Sequence, residues 1–369
     1  MTDTEMKDLK EIAGMFAIEG EILEVKPLGN GLINDTYKVV TAGQAPDYVL
    51  QRINNAIFTD VDLLQSNIEA VTSHIRGKLE AAGEKDIDRK VLKFMPAVGD
   101  GKTYIQEDGK FWRLSVFIND ADTFETVNPE YSEYAGEAFG DFEAKLADIP
   151  FKLGETIPDF HNMELRLRQL VEAVKADAAG RLQKEGKEEL EAILADIDAN
   201  AEDMCLAEQL HREGKLPKRI CHCDTKVNNM MFDKDGSILC VIDLDTVMPS
   251  FVFSDFGDFL RTAANPVAED SPELDKVDFD MEIFKAFSRG YIRGTKSFLT
   301  PLEKSCLPYA ACLFPFMQAV RFFADYINGD TYYKIQYPEH NLVRTRNQMK
   351  LFHSALAKVP EMAEWIESL

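Results

Sequence analysis

The sequence is short of cysteine, of positive charge and of long apolar runs. Six cysteines in 369 residues are too few for a disulfide framework, and Cys205, Cys240, Cys306 and Cys312 lie in apolar or helical contexts, so reduced thiols are expected. Cys221, His222 and Cys223 are contiguous, yet neighbours on one strand cannot all turn to one ion, and no second Cys/His pair follows at finger spacing. Structural zinc is not expected. No stretch approaches the ~20 consecutive apolar residues of a membrane span. The N-terminal MTDTEMKDLKEIAGMF lacks the basic start and apolar core of a signal peptide. The expectation is a soluble, cytoplasmic protein with no membrane partner. The 41 Lys and Arg are outnumbered by 64 Asp and Glu, a formal charge of −23. That field opposes nonspecific binding to nucleic acid or anionic lipid, and an anionic cofactor would need a local positive pocket or a metal ion.

What is present is ample core material. Hydrophobic residues make up 45%, with 24 Phe and 11 Tyr, enough apolar area to offset the entropy of folding. The length suits two lobes sharing a cleft better than one small module. Residues 5–18 carry an amphipathic helical pattern through Met6, Leu9, Ile12, Ala13 and Phe16. From Glu21 to Ile53 the period becomes strand-like, in EILEVKPL, DTYKVV and YVLQRI, with turn signals at Gly29-Asn30-Gly31 and Ala42-Gly43-Gln44. A helix is expected over 60–82, then strands in KVLKFMPAV, KTYIQ and FWRLSVFI with a hairpin turn at Glu107–Lys110. Beyond Asn119 helical patterns dominate, at 130–147, 162–180, 186–213, 278–297, 301–327 and 340–357. The reading is an α+β chain: an N-terminal lobe over 1–119, antiparallel sheet with one helix, and a larger, mainly helical lobe over 120–369.

One β-like stretch interrupts the helical half, Arg219 to Asp245, and it carries the chemistry. His222-Cys223-Asp224-Thr225-Lys226-Val227-Asn228-Asn229 has the spacing of the phosphotransfer catalytic loop, in which the Asp accepts the substrate hydroxyl proton and an Asn five residues on holds Mg²⁺. Alone, such a string is an ordinary hydrogen-bonded turn. Nineteen residues later, Asp243 ends the apolar run Ile238–Ile242, and a carboxylate there joins Asn229 as a hard oxygen donor suited to Mg²⁺. Asp255-Phe256-Gly257 opens a helical pattern instead of ending a strand, so Asp255 or Asp258 is expected to cap that helix or orient the catalytic loop. Between the first two strands, Gly29 and Gly31 flank Asn30 in a loop whose backbone N–H groups can approach a phosphate; the same string is also a common hairpin turn.

These strings, in this order, resemble the kinase-like two-lobed small-molecule phosphotransferases, the aminoglycoside phosphotransferase and choline kinase group. Within it the chain is most similar to the N-acetylhexosamine 1-kinases. The resemblance also runs through Tyr48–Asn54, Ile242–Pro249 and the tail Tyr337–Arg346, and covers essentially the whole chain. It implies a protein-kinase-like fold, with ATP and Mg²⁺ between the lobes. Asp224 would act as base toward the anomeric hydroxyl of an N-acetylhexosamine, with the sugar 1-phosphate as product. Asn229 and Asp243 would carry the metal, and Lys226 could reach the transferred phosphate. Asn34 and Asp224 fall in the implied substrate site, and Arg321 would point into it with Asp325 one turn later, although an i, i+4 Arg/Asp pair is usually only a surface ion pair.

Three departures from the family pattern stand out. The strand that in many kinases carries a phosphate-binding Lys reads Val49-Leu50-Gln51-Arg52, so Gln51 or Arg52 would substitute, with Glu69 on the next helix as ion-pair partner. Leu32 stands where such sugar kinases have His, and Thr262 follows Arg261 where they have an aromatic; both positions would lie near the sugar. Two other readings remain in view: a kinase of the same fold for choline, an aminoglycoside or homoserine, and a nucleotide-binding pseudokinase scaffold, against which the joint retention of Asp224, Asn229 and Asp243 argues.

Overall fold

The computed structural model describes residues 3–29, 33–124, 127–183 and 187–369, with side chains from Asp8 onward. The strands in chain order are β1 (Ile22–Pro27), β2 (Asp35–Thr41), β3 (Tyr48–Ile53), β4 (Tyr104–Glu107), β5 (Lys110–Val116), β6 (Ala121–Asp122), β7 (Arg219–Cys221), β8 (Met230–Asp233), β9 (Ile238–Val241) and β10 (Met248–Ser250). The first helices are α1 (Asp3–Ala13), α2 (Val61–Ala81), α3 (Ile87–Lys90), α4 (Pro129–Leu146), α5 (Met163–Ala176), α6 (Glu188–Met204) and α7 (Leu206–Arg212). Six more follow: α8 (Phe253–Ala263), α9 (Met281–Thr295), α10 (Pro301–Ser305), α11 (Leu307–Asn328), α12 (His340–Ala357) and α13 (Val359–Ser368). They fold into two compact units, one of residues 1–123, 148–158 and 230–248, the other of 124–147, 159–229 and 249–369. Segments 148–158 and 230–248 come from the part of the sequence assigned above to the C-terminal lobe.

The first unit is built on an antiparallel sheet of order β1-β2-β3-β5-β4. Period-two alternation puts Val25, Val39, Leu50 and Leu114 on one face, all fully buried, where Leu9, Ala13 and Phe16 cover them. The α2 helix starts where Asp60 accepts the Leu63 N–H and buries Leu64, Ile68 and Val71. KVLKFMPAV, expected as a strand, forms only isolated bridges, Phe94 to Ser115 and Ala97 to Phe16. Pro96 has no N–H to offer a ladder, and its carbonyl accepts from Ala17 instead. A three-stranded ladder, β6-β8-β9, completes the unit.

The second unit is helical. Its apolar spine is α11, long and apolar enough to cross a membrane by length and composition, which the sequence reading did not anticipate. Its most apolar window is 89% buried within the protein, as a core helix is. Gly257 lets α8 lie against it, because a Cβ there would stand 2.5 Å from the Ala310 carbonyl oxygen. Two expected helices are each divided. The 301–327 segment breaks at Cys306, since Pro308 cannot donate to the turn before it; its first piece opens on a Thr300/Glu303 capping box. The 186–213 segment breaks at Cys205, whose N–H bonds three residues back to Glu202 O.

Candidate active site

In the second unit, β7 leads into the loop His222–Asn229, and its shape is imposed by α8. Both carboxylate oxygens of Asp255 accept backbone N–H groups, Oδ2 from His222 and Oδ1 from Cys223, each at 2.7 Å. Thr225 is tied twice more, Oγ1 to Asp255 O (2.8 Å) and N to Asp258 Oδ2 (3.1 Å). These bonds hold Cys223 at φ 63°, a left-handed conformation that a residue with a Cβ adopts only at a cost of order 1–3 kcal/mol. Asp255 and Asp258 therefore orient the loop, one of the two roles expected of them; the other, capping α8, is not observed for either.

The loop presents Asp224. Asn229 Nδ2 donates to Asp224 O at 2.8 Å and to its Oδ2 at 3.2 Å, and Lys226 Nζ lies 3.0 Å from the same Oδ2. The spacing Asp224, Lys226, Asn229 thus brings two expected site residues onto the carboxylate of a third. Behind them His222 is fully buried, its ring edge-on to Phe139 and Phe142, and its Nδ1 accepts the Asp224 N–H at 3.3 Å.

Asp224 borders a cavity of about 150 Å³ that is also lined by Asp258, Arg261, His161, Arg321 and Tyr333. Arg321 donates to Gln318 Oε1 at 3.0 Å, and its guanidinium lies over the rings of Phe160 and Tyr333, 5.5 and 5.6 Å from their centroids. Burial, then the charge of Arg321, pushes His161 well below its usual range, so its ring is neutral at pH 7. Burial raises Asp258 to about 6; Arg261 opposes that shift and Asp224 adds to it.

Two expectations for this cavity are corrected. Asp325 does not pair with Arg321: it accepts the backbone N–H groups of Thr331, Tyr332 and Tyr333 and the Asn341 amide. A buried carboxylate one turn past Arg321 is better satisfied by four converging donors than by one exposed ion pair. Thr262 faces solvent, its Oγ1 bonded to Phe259 O at 3.2 Å, and it is Arg261 that lines the cavity.

The first unit holds the other expected residues. Gly29 has φ +68° with no atom near its missing Cβ, while Asn30, Gly31 and Leu32 lie outside the described residues. Arg52 pairs with Asp35. Glu69 is not an ion-pair partner for either strand residue; its Oε1 accepts from Thr103 Oγ1 at 2.5 Å. Gln51 Oε1 accepts from Arg113 Nε at 3.0 Å. Arg113, which the sequence reading passed over, is the organising cation here: 2% exposed, it stands 2.5 Å from Asp245 Oδ1 and donates to Gln65. Asn34 Nδ2 completes the network on Asp245 Oδ2 at 2.7 Å, and Asn34 Oδ1 accepts the Asn54 N–H. Asn34 thus serves Asp245, two residues after Asp243, which itself takes a left-handed backbone at φ 62°. The signal available was a lone cation inside the apolar strand FWRLSVF, with a second, unexplained carboxylate in Asp243-Leu244-Asp245.

The profile of the phosphotransferase enzyme family matches residues 24–291. Among solved structures, an aminoglycoside phosphotransferase from Alicyclobacillus acidocaldarius is similar with a TM-score of 0.62 at 10% identity, over 98% of this chain and 96% of that one. Spectinomycin phosphotransferase, solved with ADP and spectinomycin, gives 0.57 at 15% identity, over 100% of both chains. A choline/ethanolamine kinase family protein from Mesorhizobium loti gives 0.54 at 17% identity, over 96% of this chain and 100% of that one. At these identities the likeness is one of fold, and it is the protein-kinase-like fold expected from the sequence. With most of its length matched by the family profile, the chain belongs to the phosphotransferase enzyme family.

Proposed function

We propose that this phosphotransferase moves the γ-phosphoryl group of ATP to the anomeric hydroxyl of an N-acetylhexosamine, giving the sugar 1-phosphate and ADP. The observation that carries the acceptor class is the placement of Arg321 on the same cavity as Asp224. Its guanidinium already covers the Phe160 and Tyr333 faces, the kind of surface a quaternary or ammonium group would otherwise use. A cationic acceptor such as choline or an aminoglycoside would face Arg321 and Arg261. A neutral polyhydroxyl acceptor instead finds donors in Arg321 and acceptors in Asp224 and Asp258.

In this reading Asp224 aligns the acceptor hydroxyl and takes its proton, while Lys226 Nζ, already on that carboxylate, faces the transferred phosphoryl oxygens. Catalysis is then mostly positioning and neutralisation of charge. Asn229 and Asp243 are the proposed Mg²⁺ donors, hard oxygens of the kind that ion takes; the Asn229 amide nitrogen is committed to Asp224, which leaves its oxygen for a hard cation. When bound, the ion would offset the negative charge of the phosphates. Gly29, Gln51 and Arg52 remain the proposed phosphate-side groups.

The test is ADP release with Mg-ATP against N-acetylglucosamine, N-acetylgalactosamine, glucose, galactose, choline, homoserine and kanamycin, with products identified by phosphorus NMR. An N-acetylhexosamine 1-phosphate is the expected product. Turnover confined to choline, homoserine or kanamycin would overturn the acceptor assignment.

A further inference from the structure

Behind the loop-orienting Asp255 of α8, the second unit buries three side chains given no role above, Glu143 on α4, Cys221 on β7 and Tyr291 on α9; all four are 2% exposed or less. Ligand atoms of Glu143, Cys221 and Asp255 lie within 4.8 Å of one another, the spacing of a metal site. Their hydrogen bonds argue otherwise. The Tyr291 hydroxyl contacts Glu143 Oε1 at 3.0 Å and Oε2 at 2.9 Å. Both Asp255 oxygens accept backbone N–H groups, and Cys221 Sγ reaches Phe251 O at 3.3 Å. The two carboxyl groups present oxygens within 4.8 Å of one another in a buried site, where one shared proton would spare the cost of two adjacent charges.

We infer that Glu143 is a neutral carboxylic acid whose O–H donates to the Asp255 carboxylate, and that this shared proton makes Glu143 a positioning residue for Asp224. The chain of contacts is short. Glu143 holds Asp255, Asp255 holds the N–H groups of His222 and Cys223, and Asp224 is the next residue. The inference rests on the reading of Asp224 as the base.

The surroundings decide which carboxyl keeps the proton. Burial, with the neighbouring Asp255 charge as second cause, pushes Glu143 well above the carboxylate range. Burial also raises Asp255, but His222 and two backbone donors oppose it. The other ionisable neighbours include Cys221, Cys223, Tyr291, Asp258, Glu303 and Arg219. Arg219, the cation whose field reaches Glu143, is paired with Glu303 at 2.9 Å, so it is already committed to another carboxylate. Helix packing fixes the geometry: Gly136 and Gly140 of α4 meet α9, and Gly290 and Gly294 of α9 meet α4, backbone to backbone. That close approach lets the Tyr291 hydroxyl span the interface.

The test compares Glu143→Gln, which keeps a neutral donor, with Glu143→Leu, which does not. The wild-type protein should show the infrared carbonyl band of a protonated carboxylic acid at neutral pH, and Glu143→Gln should lose it. Glu143→Gln should keep kcat within about threefold. Glu143→Leu should lose about 10²-fold in kcat with acceptor KM little changed, as expected for a displaced base. Should Glu143→Leu not fold, Tyr291→Phe serves instead: the band persists but moves to a different frequency as it loses a donor. No band lost in Glu143→Gln, or equal impairment in the Gln and Leu variants, would overturn the inference. The band needs no turnover, so it separates this inference from the base assignment: a fully active Asp224→Asn would sink the base and leave the band difference intact.

Discussion

Replacing Arg113 with Met should destabilise the first unit by about 3–5 kcal/mol, because it leaves a buried carboxylate without its cation. Arg113 and Asp245 are 2% and 3% exposed, and their charged atoms stand 2.5 Å apart. In Arg113→Met, Asp245 Oδ1 loses that partner and Oδ2 retains only the Asn34 amide, while Gln51 and Gln65 lose the donor they share. At roughly 2–4 °C per kcal/mol, the shift in Tm should be about 6–20 °C. Asp245→Asn should be costly for the same reason with the roles reversed. The double variant should cost less than the sum by about 1–3 kcal/mol, since neither charge is then stranded. Trp112, beside Arg113 on β5, and Trp365 on α13 are the two tryptophans. In a Trp365→Phe background, urea unfolding followed by fluorescence reports the first unit alone. Additive costs, or a cost below about 1 kcal/mol for Arg113→Met, would refute the account of this network.

Two further outcomes follow from the second unit. In Gly290→Ala the new Cβ would stand 2.0 Å from Glu133 O and 2.8 Å from Glu137 N; both are backbone atoms, so α4 and α9 must separate, at roughly 1–3 kcal/mol or more in chemical denaturation. Glu208 accepts the Met163 N–H at 2.6 Å, its other oxygen is buried with no hydrogen-bond partner, and burial raises it to about 7. The folded state thus holds a proton that the unfolded chain releases near 4.5, the ordinary value, so this contribution is full below 4.5 and is lost as pH rises to about 7. Relative to Glu208→Gln, wild type should lose about 3 kcal/mol over that window in pH-dependent denaturation. A constant difference would contradict it.

The sequence made the clustering of Lys226 and Asn229 on Asp224 and most helices legible because both are local. Asp224, Lys226 and Asn229 lie within six residues of one another, and α2, α4 and α9 follow apolar stripes opened by Asp60, Asn128 and Asp280 as capping residues. What stayed hidden depends on partners far along the chain. Arg113 meets Asp245 across 132 positions, and nothing local in FWRLSVF distinguishes an ion-paired cation from an exposed one. Glu143 sits in GDFEAKL, a string that reads as an ordinary acidic helix face, yet the glycine contacts between α4 and α9 bury it. Asp325 misled because i, i+4 geometry invites a pair with Arg321, whereas the turn at 331–333 offers it backbone donors. The break at Cys205 has no proline or glycine to announce it.

The most direct measurement is single-turnover phosphoryl transfer by Asp224→Asn beside wild type, using the acceptor that turns over best, with nucleotide binding measured on the same samples. If Asp224 takes the acceptor proton, the transfer rate should fall by about 10²–10⁴-fold while nucleotide affinity stays within a few-fold. A variant that transfers at near the wild-type rate would contradict the role assigned to the carboxylate on which Lys226 and Asn229 converge.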